Sequence, residues 1–365
     1  MAKARRRSGR PRKAWDGRPI TNAPPGFPLY ATSRDARVVT FDVWTYMKHI
    51  AAKRLSGPRE AEAVAFLDQA FEFFQAADNP QLASRPLLYY YSFLNLTKMA
   101  ILTHGVQLPA AAKHGISDPR ANKRTRLRLE GQTIRVVPRA TDHSQVFPEL
   151  VALLGDQIPE QRDYKIIDLL AQIPGIHRTY CQVTRAKPCF LPIRCFALLR
   201  DGAHVWVRLI VSRHDADVRA TLRVLRTRQA FQRVFDQVQS EVTDELWFET
   251  GVRPGVRRGT DTAIRDLAEI VSEVGVWSIL TSKGTRFYLC TMPPRHKLPA
   301  LASIYAVMFY LGSLTRYKPA DFDKIITRRY SWIIAEFLRT QPLQFLYGLA
   351  SVLGGVQVVR PFAIV

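Results

Sequence analysis

Residues Arg85-Pro-Leu-Leu-Tyr-Tyr-Tyr-Ser-Phe-Leu-Asn-Leu-Thr-Lys98 decide the fold class. Ser84 stands at a helix N-cap position, Pro86 falls in the first turn where a missing N–H costs nothing, and the run continues to about Thr103. It is apolar nearly all round, so the helix belongs at the centre of a core rather than on a surface. Upstream, Thr40 is positioned to cap a helix ending near Leu55. Ser56-Gly-Pro then opens another over 58–77, with Ala63, Phe66, Leu67, Ala70, Phe73 and Phe74 on one stripe. Downstream, shorter helices are expected over 144–154 and 166–172. The C-terminal part reads as helices over 298–314, 319–339 and 343–353, followed by a turn at Gly354-Gly355 and a short strand.

Other segments carry the two-residue period of strands. Thr125, Leu127 and Leu129 alternate with Arg124, Arg126 and Arg128, and beyond Gly131 Ile134 and Val136 alternate with Arg135, which reads as a hairpin with one arginine face. Asp201-Gly202 between 195–199 and 205–212, and Ser282-Lys283-Gly284 between 276–281 and 285–292, mark two further hairpins. Between them lie a basic helix over 217–241 and a helix capped by Thr260. The chain is therefore read as α+β and predominantly α-helical, a helical core with small antiparallel β-hairpins or a small sheet inserted. The expected organisation is a disordered basic tail (1–30), a helical region (31–190), a mixed segment (191–297) and C-terminal helices packing back on the first helical core (298–365). Two uncharged stretches, 298–315 and 342–359, approach the length of a membrane span. Gly, Ser, Gln and Pro interrupt them, and they are read as core elements, with no membrane partner and a cytoplasmic setting.

The 365 residues hold 53 Lys and Arg against 31 acids, a net +22, which favours polyanionic partners. In the first thirty residues Lys3, Arg5, Arg6, Arg7, Arg10, Arg12, Lys13 and Arg18 stand against Asp16 alone, so the tail carries +7 and the rest +15. Within it, Ser8-Gly-Arg-Pro-Arg-Lys13 resembles the Gly-Arg-Pro core of AT-hook peptides, with Ser8 in place of the expected arginine. An extended arginine strand of that type fits a narrow A·T-rich minor groove, where negative potential is concentrated. Arg219, Arg223, Arg226 and Arg233 share one helical face. The expected nucleic-acid contacts are thus Arg5, Arg6, Arg7, Arg10, Arg12 and Lys13 in the tail, the hairpin arginines Arg124, Arg126, Arg128 and Arg135, and Arg219, Arg223 and Arg226. DNA is favoured over RNA. The competing reading of each set is a solvated basic surface.

Four ordered segments resemble the YaaC-like family: Tyr90-Tyr-Ser-Phe-Leu-Asn-Leu-Thr-Lys98, Lys113-His-Gly-Ile-Ser117, Val146-Phe147 with Asp168-Leu-Leu-Ala-Gln-Ile-Pro174, and Gly312-Ser-Leu-Thr-Arg-Tyr-Lys-Pro319. The resemblance implies a bacterial cytosolic protein and brings no established activity, cofactor or catalytic residue. The Asn-Leu-x-Lys helix is loosely similar to HEPN-type helical domains, some of which are ribonucleases, by fold-level analogy only.

No Walker loop, GxGxxG, HExxH or GxSxG motif is present, so a non-enzymatic role is favoured. Cys181, Cys189, Cys195 and Cys290 form no CxxC pair and are read as reduced thiols, with no metal and no cofactor expected. Asn95, Lys98, His114, Arg316 and Tyr317 are expected to meet if the first and last helices pack together, either as an internal site for a phosphate or nucleotide or as a buried hydrogen-bond network. The only Arg-x4–6-His spacing, Arg208 to His214, lies at a strand end. The leading expectation is a nucleic-acid-associated accessory or effector protein in a bacterial antiviral defence or regulatory system. The alternatives are a HEPN-like ribonuclease or nucleotide-binding effector, and a subunit of a larger complex bound to a protein partner or a second copy.

Overall fold

A computed structural model describes residues 14–19, 37–78, 83–109, 112–119, 129–139, 144–213, 223, 229–272, 274, 276–281, 284–290 and 297–361. It is mostly helical, with small antiparallel sheets inserted into a helical core. The central helix, α3 (Arg85–Thr103), packs against α2 (Pro58–Ala77), α9 (Ala300–Tyr317) and α11 (Ser331–Gly354). Phe93 of α3 stacks on Phe345 of α11 at 4.0 Å between centroids, and Tyr90 meets Tyr305 of α9 edge to face at 5.9 Å. Ser84 starts α3 through its carbonyl, which accepts from Leu87 and Leu88, rather than through its hydroxyl. Helix α1 (Val43–Arg54) is capped by Asp42, whose carboxylate accepts the Thr45 N–H at 2.9 Å. Thr40, the expected cap, instead accepts from Asp42.

A parallel pair, β2 (Arg37–Val39) with β13 (Gln357–Val359), ties the start of this core to its end. Gly355 (φ +62) ends α11 just before it. The final helices differ from the expected division. The break falls between α10 (Pro319–Thr327) and Ser331, and α11 then runs without interruption through Pro342. The proline removes one helical hydrogen bond, but Phe337, Leu338, Phe345 and Leu346 on either side are buried in the core, and packing outweighs the loss.

The expected arginine hairpin also differs. The strand β4 (Thr133–Val136) is central in a three-stranded sheet, flanked by β3 (Ile116–Ser117) and β5 (Arg162–Lys165), so both of its edges are already paired. Arg135 makes a two-pronged contact to Asp163 on β5, at 2.7 and 3.0 Å. Arg124, Arg126 and Arg128 lie outside the described residues. The helices α4 (Val146–Leu153), α5 (Ile166–Ala171) and α6 (His177–Thr184) complete this core.

A second apolar cluster is built from strands. The hairpin of β7 (Cys195–Arg200) and β8 (Val205–Ser212) turns at Asp201-Gly202, where the Asp201 carboxylate accepts from Ala203 and His204 and Gly202 has φ +92. It belongs to a five-stranded sheet with β1 (Ala14–Pro19), β9 (Phe235–Val238) and β10 (Glu245–Thr250). Part of the basic tail is thus an edge strand on β7 rather than free chain, while residues 1–13 lie outside the described residues. The second expected hairpin, β11 (Val276–Thr281) with β12 (Gly284–Cys290), pairs with β6 (Phe190–Ile193), and α8 (Thr260–Ser272) packs on this cluster.

The basic helix expected over 217–241 also departs from expectation. Its described part, α7 (Gln229–Val234), gives way to β9 because Phe231, Val234 and Phe235 pack onto Phe248 of β10. Arg223 is exposed, and Arg219 and Arg226 lie outside the described residues.

Glu249 anchors the five-stranded sheet. Its side chain is 4% exposed and accepts from Arg208 at 2.6 and 3.0 Å and from Arg253 at 2.8 Å. Arg208 lies over Trp247, and Arg253 over Trp206. Glu249→Ala removes the carboxylate that joins the two guanidinium groups, and a urea melt is expected to show a loss of about 3 kcal/mol. A change under about 0.5 kcal/mol would show that the cluster is solvated.

Candidate functional site: a cleft where separated segments meet

One cleft lies between the N-terminal half of α3, the C-terminal half of α9 and the chain from His114 to Asp118, with about 240 Å³ of free space. Two glycines shape it. Gly312 lets α9 approach α3 so closely that an added Cβ would lie 3.1 Å from Tyr90 Cβ and 3.3 Å from the Pro86 carbonyl oxygen. Gly115 adopts φ +70, and an added Cβ there would overlap the Pro148 ring. That tight turn puts the His114 and Gly115 carbonyls to work, accepting from Phe147 at 2.9 Å and from Val137 at 3.2 Å.

His114 is fixed at the cleft wall. Its Nδ1 lies 2.8 Å from the Tyr90 hydroxyl, which leaves Nε2 as the second polar edge of the ring. Burial lowers its pKa below the ordinary 6.5, and the positive charges of Lys98 and Arg316 lower it further, so the ring is neutral near pH 7. Burial raises the Tyr90 pKa, so that hydroxyl keeps its proton. Arg316 donates to the Tyr91 hydroxyl at 3.1 Å and lies 5.0 Å from the Tyr317 ring. Tyr317 is 62% exposed, a large aromatic surface left in water at the rim.

The five residues expected to meet divide into two groups. His114, Arg316 and Tyr317 line the cleft together. Asn95 and Lys98 do not line it. The Asn95 amide donates to Gln69 of α2 at 3.3 Å, and the Lys98 ammonium lies 5.0 Å from the Phe66 ring, also on α2. Burial lowers the Lys98 pKa, with the Glu62 charge opposing. Tyr90, Tyr91, Phe309, Ser117 and Asp118 line the cleft without being expected there. In sequence the adjacent tyrosines read only as core, and nothing in the spacing of Ser117 and Asp118 marks them.

Of the expected ribonuclease pair, Arg208 is committed to Glu249 inside the sheet, and His214 lies outside the described residues. The tail residues Arg5, Arg6, Arg7, Arg10, Arg12 and Lys13 also lie outside them. The described cysteines are free thiols, and two of them, Cys181 and Cys189, gather at the buried His177. Its Nδ1 lies 2.7 Å from the Ala171 carbonyl oxygen, and its Nε2 accepts the Cys189 N–H at 3.0 Å and lies 3.3 Å from Cys181 Sγ. Both ring nitrogens are thereby occupied, and among the described residues no group of three His, Cys, Asp or Glu is arranged to hold a metal ion. No described helix is long and apolar enough to cross a membrane.

The family model described as YaaC-like Protein matches residues 29–353. The chain belongs to the YaaC-like family. No curated protein and no solved structure matches it. All four segments that resemble the family lie in the helical core. The first, second and fourth line the cleft. The third supports it through Val146 and Phe147, whose N–H groups bond the Lys113 and His114 carbonyls. Segments up to 225 residues apart are thus bonded side to side, as Tyr91 is to Arg316.

Gly115→Ala is expected to destabilise the protein by about 2 kcal/mol or more, from the left-handed backbone and the overlap with Pro148, read as a lowered urea midpoint. A second expectation concerns pH. Burial lowers the pKa values of His104, His114 and His177 below 6.5. As the pH falls through 6.5 the unfolded chain takes up protons that the folded one refuses, so stability falls with falling pH until the folded-state pKa values are reached, and it is level with respect to these groups well above 6.5. Urea midpoints at about pH 7.5 and pH 5.5 should therefore differ, with the acid value lower. Equal midpoints would mean that these rings are not held neutral.

Proposed function

We propose that the protein is a nucleic-acid-associated accessory protein without chemistry of its own, which binds DNA in preference to RNA through the phosphate backbone. The observation that carries this reading is the net charge of +22. Ion pairs inside the fold do not absorb it. That net charge already subtracts all 31 acids, so pairing of Glu149, Glu245 and Glu249 with arginines leaves it unchanged. Residues 1–13 contribute seven Lys and Arg and no acid. A basic set of that kind gains affinity by releasing counterions from DNA, a sequence-independent effect. The Gly9-Arg-Pro11 core adds a groove-fitting arginine strand, which favours narrow A·T-rich sites. A bacterial, cytoplasmic setting and a place in a defence or regulatory system fit the family resemblance and belong to the same proposal.

The test is fluorescence anisotropy with a labelled A·T-rich duplex across a salt series, using the full chain and a chain lacking residues 1–13. Affinity should fall steeply as salt rises. The truncated chain should bind more weakly, with the slope of log K against log salt reduced by up to about six, at roughly 0.9 for each phosphate no longer neutralised. Binding that ignores salt, or no binding, defeats the proposal.

A further inference from the structure

The cleft between α3 and α9 has a polarity of its own. Arg316 supplies a cation at the rim, and among the described residues no ion pair occupies it. Its guanidinium meets the Tyr91 hydroxyl and the Tyr317 ring. Ser117 and Asp118 also line the cleft, on the chain that follows His114 rather than on α9. Aromatic faces lie between, from Tyr91, Phe309 and the exposed Tyr317. His114 is neutral and offers a hydrogen-bonding edge without charge.

We infer that this cleft binds one nucleotide unit, with a phosphate on Arg316, a base against the aromatic faces, and the base amino group donating to Asp118, whose carboxylate can accept more than one hydrogen bond. Charge placement orients the ligand, because a phosphate beside Asp118 would be repelled and a base amino group beside Arg316 would find no acceptor. The aromatic faces suit a planar base, since stacking on such side chains tolerates any base. Size limits the ligand to a single unit. The free space of 240 Å³ is below the roughly 300–1,000 Å³ of pockets that enclose drug-sized ligands, so the cleft would hold a mononucleotide partly in solvent and has no room for a dinucleotide cofactor. The carboxylate favours an amino-bearing base, adenine above uracil. The unit comes either free, as a mononucleotide, or unstacked from a single strand. For the strand-borne source the inference rests on the nucleic-acid reading above, and for the free nucleotide it stands alone.

Isothermal titration of the full chain with adenosine 5′-monophosphate, uridine 5′-monophosphate and inorganic phosphate tests the site. Adenosine monophosphate should bind most tightly. Arg316→Gln should weaken it about tenfold or more, as expected for loss of a hydrogen bond to a charged group. Tyr317→Ala should weaken it as well. Both side chains are exposed, so neither change threatens folding, and unchanged urea midpoints verify this. An oligo-dA strand titrated into the same variants separates the two sources. A matching loss on the strand assigns the site to a base within nucleic acid, and a loss confined to the mononucleotide assigns it to the free ligand. No binding of adenosine monophosphate, equal binding of inorganic phosphate, or an affinity unmoved by Arg316→Gln overturns the inference. A chain that binds duplex DNA with the expected salt slope yet fails these tests loses only the cleft. A chain that binds adenosine monophosphate but no duplex loses only the charge reading.

Discussion

Helix α3 is enclosed by other helices, so the polar groups it buries can find partners only inside the protein, and several do, although the Thr97 hydroxyl is left without one among the described residues. An unpaired buried polar group costs about 1–3 kcal/mol, enough to choose among helix rotations. The Ser92 hydroxyl donates to the Ala70 carbonyl of α2 at 2.8 Å, and Asn95 donates to Gln69 of the same helix. Tyr90 reaches His114, and Tyr91 receives a hydrogen bond from Arg316. The first three of these contacts fix α3 about its own axis, the Arg316 bond lying at the exposed rim, and the stacked Phe93–Phe345 pair fixes its depth against α11. The cleft follows from that rotation, since it lies where the Tyr90–Tyr91 side of α3 faces α9 and the His114 segment.

The cleft also depends on what is missing from its walls. Without a side chain at Gly312, α9 lies against Pro86, Leu87 and Tyr90 of α3. Beside that close approach, Phe309, Arg316 and the chain from His114 to Asp118 enclose free space. Gly115 turns that chain in a backbone conformation that a side chain would strain, and the turn aligns the Lys113 and His114 carbonyls with the start of α4. The family-like segments are therefore held together by one network of packing and hydrogen bonds. A structural role accounts for the Gly and Phe positions. It accounts less well for Arg316 and Tyr317, which are exposed and hold no core contact in place.

The elements most legible in the sequence are those decided by local chemistry. The composition of 85–103 requires a central helix, Gly57-Pro58 starts α2 at the expected residue, and Asp201-Gly202 sets the β7–β8 hairpin. Long-range partners are not legible. The alternation around Ile134 reveals a strand, but pairing with Ile116 and Tyr164 is a contact between distant segments that no local pattern encodes. The same limit applies to the site. His114, Arg316 and Tyr317 share the cleft, whereas Asn95 lies a full turn farther along α3 than Tyr91 and donates to Gln69 of α2 instead. Polarity alone identifies Asn95 and Lys98 as needing partners, and the partners are on α2. Pro342 shows the opposite case, in which a strong local signal for a break is overridden by the burial of its neighbours.

The charge and the cleft act over different distances. Surface charges separated by more than about 10 Å are largely screened at 0.1 M salt, so the net positive field draws anions in without discriminating among them. Discrimination needs contacts, and a neutral ring, a cation and a carboxylate surround one small aromatic space. Burial and the nearby positive charges of Lys98 and Arg316 together keep His114 uncharged, so the cleft presents one defined cation instead of a diffuse positive patch. A protonated His114 would add a second positive charge beside the first and favour any polyanion. On the inference drawn above, the neutral ring would favour ligands that pair a single anionic group with a planar body over polyanions at large.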